Sequence, residues 1–127
     1  MKATINNWEK NKNNSIECLI EDIDKLLSLL EKLNGKNHTQ LILEGKDGFL
    51  IIGGGNNSFV ISDVIGDNEN SFTLINGNDE NEIEVVTGGQ AGLFPKKMVV
   101  NFEIASIVAK NYFLTSKMDN QFIWEED

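Results

Sequence analysis

Thr39–Val86, TQLILEGKDGFLIIGGGNNSFVISDVIGDNENSFTLINGNDENEIEVV, decides the fold. Short apolar runs alternate here with clusters of Gly, Asn and Asp, the residues that reach positive φ most cheaply. Thr39–Glu44 leads through Gly45-Lys46-Asp47-Gly48 into Phe49–Ile52, and Gly53–Asn57 leads into Ser58–Asp63. Gly66–Asn70 precedes Ser71–Ile75, and Asn76–Asn81 precedes Glu82–Val86. Turn signals roughly every eight to twelve residues are the pattern of an antiparallel meander. Phe59 and Ile61, with Phe72 and Leu74, have polar neighbours, and Ile83 and Val85 alternate with Glu82 and Glu84. One face is buried and one is wet.

Helices flank these strands. Ser15 reads as an N-cap, with Glu17, Glu21 and Asp22 suited to the dipole of a helix starting there. Ile16, Leu19, Ile20, Ile23, Leu26, Leu27, Leu30 and Leu33 continue it as one apolar stripe, and Asn34-Gly35 ends it. Ala3-Thr4-Ile5, with Trp8, reads as a short first strand, and Met98–Val100 as another before the last helix. That helix runs from about Phe102 to Leu114, with Ile104, Ile107, Val108 and Tyr112 toward the sheet and Lys110 and Asn111 outward. Gln121–Glu125 returns as a strand with Phe122 and Trp124 on one face. The expectation is a single α+β domain over residues 1–127. It has a meander of about five to seven strands, an N-terminal and a C-terminal helix packed on it, and a closing C-terminal strand.

Composition narrows the class. A chain of 127 residues buries about two-thirds of its unfolded surface, and 40% hydrophobic content fits neither a disordered segment nor a membrane protein. No apolar run approaches the roughly 18 residues that span a bilayer. Met1–Lys10 lacks the apolar core of a signal peptide, and the single Cys18 leaves no intrachain disulfide. A cytoplasmic location is expected. The net charge is −9, and every cationic side chain is Lys. Without Arg the chain lacks the preferred bidentate ligand of phosphate and guanine, and its negative field repels nucleic acid and attracts basic proteins. Solubility alone is the simpler account of such a charge.

Reactive chemistry is scarce. Gly53-Gly54-Gly55 lacks the Lys-Ser/Thr of a phosphate loop and precedes a strand, so it reads as a hairpin turn or bulge. Gly88-Gly89-Gln90-Ala91-Gly92 fails the same test and reads as a loop open to a partner's backbone, or as a bent strand. Cys18 and His38 are the only thiol–imidazole combination, and they are too few for a zinc shell. Asp67-Asn68-Glu69-Asn70 and Asn78–Glu82 offer oxygen ligands without the spacing of a calcium loop. Solvated turns are their default reading. No catalytic residue, cofactor or metal site is assigned.

The last forty residues carry a resemblance. Gly88-Gly89-Gln90-Ala91-Gly92-Leu93-Phe94-Pro95 is followed by a short apolar strand and a helix ending in Phe113-Leu114. Ile123-Trp124-Glu125 then closes the chain, and Gly53-Gly54-Gly55 lies upstream. This order resembles the first-numbered family of bacterial immunity proteins, which accompany polymorphic and contact-dependent inhibition toxins. It covers roughly Leu41 to Asp127. Where that family often has Pro at the start of the last helix, this chain has Asn101-Phe102-Glu103, itself a good cap and first turn.

The resemblance implies a non-enzymatic protein that binds a cognate toxin domain, the C-terminal fragment of a large secreted protein. Such toxins commonly act on nucleic acid as nucleases or deaminases, so the partner's cleft is basic and an acidic inhibitor mimics phosphate. The residues expected to carry binding are Asp63, Asp67, Glu69, Asp79, Glu80, Glu82 and Glu84, with Phe94 and Trp8 as exposed aromatics. Trp124 reads as core before anchor. The rivals are a small-ligand or carbohydrate-binding domain, marked by a deep apolar pocket with a few polar groups, and an enzyme using Glu82 and Glu84.

Overall fold

Leu41 and Leu43, Leu50 and Ile52, Phe59 and Ile61 are spaced two apart on three consecutive strands, so each pair points to one side. In the computed structural model, which describes residues 1–66 and 70–127, all six are buried on the helix-covered face of an antiparallel sheet. The chain runs β1 (Lys2–Ile5), β2 (Trp8–Glu9), β3 (Lys12–Asn13), β4 (Ile16–Leu19), α1 (Ile23–Lys32), β5 (Gln40–Glu44), β6 (Gly48–Gly55) and β7 (Ser58–Ile65). It continues through β8 (Asn70–Ile75), β9 (Glu82–Thr87), β10 (Gln90–Pro95), a 3₁₀ turn (Lys96–Met98), α2 (Phe102–Thr115) and β11 (Ile123–Glu126). The main sheet has seven strands in the order β11-β8-β7-β6-β5-β1-β4. The closing strand lies in the sheet, as expected. β2–β3 and β9–β10 form separate two-stranded ribbons.

Register holds the core in place. Ile5 pairs Leu41, Leu41 pairs Ile52 and Ile52 pairs Ile61, a transverse row of fully buried side chains. α1 contributes Leu26, Leu29, Leu30 and Leu33 to the same cluster, and α2 contributes Ala105, Val108, Ala109 and Tyr112. The sheet-facing surface of α2 is therefore built mainly from small residues, with Ile104 and Ile107 only half-buried at its flanks. Small side chains let the helix axis approach the strands closely. Asn101 caps α2 by accepting from the Ile104 N–H at 3.0 Å, and Asn57 Oδ1 accepts from the Phe102 N–H.

Three expectations need correction. Residues 16–19 are strand, not the first turn of a helix: Ile16–Leu19 pairs β1 from Ile5 to Lys2, and α1 begins only after Asp22, whose side chain caps the Lys25 N–H at 2.8 Å. Ladder bonds to β1 outweigh a helical stripe that happens to fit Ile16 and Leu19, both exposed. The β6–β7 turn is Asn56-Asn57, at φ 53 and 65°, while Gly53-Gly54-Gly55 stays paired to β7, with Gly54 and Gly55 at the positive φ expected of the segment (120 and 156°). Two successive left-handed residues make the tight turn that matches strand twist. Met98–Val100 forms no strand: its place is taken by the 3₁₀ turn and one bridge from Val100 to Phe59.

The β9–β10 hairpin packs on the sheet's other face, against β6 and β7. Gly53 makes this possible, since a side chain there would run into Thr87. The hairpin turn is docked by a buried polar node. The Asn6 amide donates to Thr39 Oγ1 (2.7 Å) and accepts from the Thr39 and Gln40 N–H groups, and the Gly89 N–H donates to the same Thr39 oxygen at 2.9 Å. The Trp8 ring lies against Gly89, where no Cβ fits. Replacing Thr39 by Val keeps the shape and leaves two donors without their acceptor. Urea unfolding will show a loss of about 1–3 kcal/mol, with Thr39→Ser much milder. Equal midpoints for the Val variant and the parent would show that the node does not fasten the hairpin.

Candidate functional site

The hairpin presents one side to the sheet and the other to solvent. β9 and β10 pair Glu82 with Pro95, Glu84 with Leu93 and Val86 with Ala91, while Ile83 faces Phe94 and Val85 faces Gly92. Cross-strand partners share a face. Val85 is 4% exposed and points at the sheet, so Ile83 and Phe94 belong to that inner side. The outer side carries Glu82, Glu84 and Leu93, the last 64% exposed. A leucine standing in water beside two carboxylates, on a two-stranded platform, is the most conspicuous surface feature of the hairpin.

Further carboxylates sit at the base of this platform. Asp79 and Glu80 lie in the exposed connection between β8 and β9, and the 3₁₀ turn holds them: the Lys97 N–H donates to the Asp79 carbonyl and the Lys96 N–H to that of Asn81. The Lys97 ammonium meets Glu80 at 2.6 Å. That hydrogen bond holds the Lys97 pKa above its ordinary value, with the nearby Glu80 and Glu125 charges adding to it. Lys97 neutralises Glu80 locally, and Glu82 and Glu84 make no ion pair among the described residues.

The expected binding residues therefore divide. Asp79, Glu80, Glu82 and Glu84 are exposed and adjacent along the chain at one end of the hairpin. Asp63 is not part of that surface: it is 2% exposed and lies on the opposite, helix-covered face, paired with Leu50 and Phe72. Phe94 is half-buried on the hairpin's inner side, and Trp8 is packed on Gly89 with its Nε1 buried. Neither is an exposed anchor. Asp67 and Glu69 lie outside the described residues. Leu93 was not among the expected residues, although its parity with Ala91 and Pro95, set by the β9 alternation, is the signal that finds it. Trp124 packs against the core and donates from Nε1 to the Asp119 carbonyl at 3.0 Å.

A second feature lies on the helix side. A cavity of about 620 Å³ opens under the C-terminal end of α2, between β6, β7 and the turn that leads to β11. Asp63, Tyr112, Asp47 and Asp119 line it together with Val64, Ile65 and Met118. Burial pushes the Asp63 carboxyl up from 3.8 to about 6. Burial also pushes the Tyr112 phenol up to about 12, reinforced by the charge of Asp63 and opposed by a hydrogen bond from the Gly45 backbone. Cys18 is half-buried opposite Ala3 on a strand, and His38 Nδ1 bonds the Asn6 carbonyl at 2.8 Å. No hydrogen bond joins the two among the described residues. Nor, among those residues, does any group of three His, Cys, Asp or Glu side chains converge to hold a metal.

The chain matches no model of a known protein family, and no curated protein matches it. No helix among the described residues is long and apolar enough to cross a membrane.

Asp63 gives the cavity a measurable signature. Its carboxyl holds a proton more tightly folded than unfolded, so its contribution favours the folded state below about pH 4 and is lost as pH rises through about 6. Asp63→Asn removes that loss. The stability of the variant relative to the parent will rise by up to about 3 kcal/mol between about pH 4 and about pH 7, read from denaturation midpoints. A difference that stays flat across this range would mean that the carboxylate is compensated.

Proposed function

We propose that this protein is an immunity protein of a bacterial toxin system. It binds one cognate toxin domain through the outward face of the β9–β10 hairpin and covers, or sterically obstructs, the toxin's active site. It acts in the cytoplasm and has no enzymatic activity of its own. The observation that carries the reading is Leu93, 64% exposed beside Glu84 and near Glu82 on a hairpin fastened to the sheet. Stable interfaces concentrate affinity in a few desolvated apolar anchors surrounded by polar groups. The resemblance in the glycine-aromatic-Pro segment, the last helix and the Trp-Glu strand points the same way.

Electrostatics favours a basic partner. A net charge of −9 raises the encounter rate with a cationic surface, and Glu82 and Glu84 orient it. A toxin that cuts or deaminates nucleic acid has such a surface, because its substrate is a polyanion. The class of toxin follows from the resemblance and from this complementarity. A second reading, a small-ligand-binding domain, is favoured by the cavity under α2, whose volume of about 620 Å³ falls in the range of small-molecule sites.

A pull-down of the tagged protein from its native strain, followed by mass spectrometry, will recover the C-terminal fragment of a large secreted protein. With that fragment in hand, Leu93→Ala will raise Kd about tenfold or more through faster dissociation. Glu82→Lys with Glu84→Lys will slow association about tenfold and flatten its salt dependence, with circular dichroism unchanged. Recovery of nothing from cells shown to express such a fragment would shift weight to the ligand-binding reading. Unchanged kinetics in both variants would move the interface off the hairpin.

A further inference from the structure

The cavity under α2 has no part in hairpin binding, and one of its residues is left unexplained by packing. Asp63 occupies a helix-side position of β7, two residues after Ile61 and opposite Leu50 and Phe72. Every cross-strand neighbour is apolar. Its side chain is 2% exposed, faces the cavity, and has neither a hydrogen-bond nor an ion-pair partner among the described residues. A carboxylate withdrawn from water without a counter-charge is costly to keep.

The surroundings define what would relieve that cost. Asp47 and Asp119 line the same cavity, and the C-terminal end of α2, the negative end of its dipole, lies above it. Lys117 is the one cation on the lining, yet it is exposed and forms no ion pair with Asp63 among the described residues. Ile65, two residues on from Asp63 and so on the same side of β7, and Met118 supply apolar wall. A divalent metal wants a shell of several oxygens, and no three acidic side chains converge here among the described residues. An organic cation wants what is present: one desolvated carboxylate, further negative charge nearby and a hydrocarbon wall for its stem. The Tyr112 hydroxyl, neutral up to about pH 12, adds a hydrogen-bonding group.

We infer that this cavity binds an organic cation, an alkylguanidinium or alkylammonium group whose head pairs with Asp63 and whose stem lies against Ile65 and Met118. The cation is either a free small molecule or the Arg or Lys side chain of a bound protein. Binding requires ionised Asp63, whose carboxyl burial has pushed up to about 6, so affinity falls as pH drops through that value. The other titratable groups facing the cavity are Asp47 after β5, Tyr112 on α2, and Lys117 and Asp119 beyond it.

Calorimetric titration of the full chain with butylguanidinium and with n-butylammonium chloride tests this, with 1-pentanol as the uncharged control. Butylguanidinium will bind at about pH 7.5 and about tenfold more weakly at about pH 5, and pentanol will not bind. Asp63→Asn will abolish cation binding, and so will Met118→Trp, which fills the cavity and leaves Asp63 intact. Leu93→Ala will leave it unchanged, which separates this site from the hairpin. A blocked Gly-Arg-Gly peptide distinguishes the sources. If it binds like butylguanidinium, the cavity receives a protein side chain; if it is excluded while the free cation binds, the ligand is a small molecule. No cation binding at millimolar concentration, equal binding of pentanol, or full affinity in Asp63→Asn would overturn the inference.

Discussion

The position of the β9–β10 hairpin rests on the shared oxygen of Thr39. One buried hydroxyl accepts from the Asn6 amide and from the Gly89 backbone, and so ties the end of β1, the start of β5 and the hairpin turn at a single point. Donors removed from water must find acceptors, and the polar groups of this turn find theirs inside the sheet's framework. Gly53 supplies the space and Trp8 the cover. Without this attachment a two-stranded ribbon would be marginal in water. With it, Leu93, Glu82 and Glu84 stand on a fixed platform.

The seven-stranded sheet acts as a partition. Its helix side holds the apolar cluster, the cavity and Asp63, and its hairpin side holds the exposed leucine and carboxylates. Period-two alternation is what assigns residues to one side or the other. Asp63 and Glu84 are both strand carboxylates, yet opposite assignments give one a perturbed proton affinity and leave the other solvated. Charge count alone places them together.

Much of this was readable from the chain. Turn clusters located β5, β7, β8 and β9 within a residue or two, because Gly and Asn reach left-handed conformations that other residues avoid, while β6 runs three residues past its expected end at Ile52. Asn101 announced the start of α2, and the closing strand formed in the main sheet, though it begins at Ile123 rather than Gln121 and leaves Phe122 in the preceding turn. The first helix was overextended because Ile16 and Leu19 fit a helical period while their actual partner, β1, lies some fifteen residues away in sequence. A local pattern cannot register a remote ladder. Asp63 was misplaced although Phe59 and Ile61 fix its parity, since a charged residue is assumed to be wet. Phe94 and Leu93 exchanged roles because the hairpin register, not residue type, decides which of two neighbours faces solvent.

The Asn56-Asn57 turn bears on the order in which the molecule assembles. β6 and β7 are each eight residues long and are joined by only two, both already in the conformation the hairpin needs. Closing so short a loop sacrifices little chain entropy, and each further pair zips beside the last. β1 must instead search across the whole of β4 and α1 to find β5, and β11 across the ribbon and α2 to find β8. The shortest chain closure thus lies at the centre of the sheet and the longest at its margins.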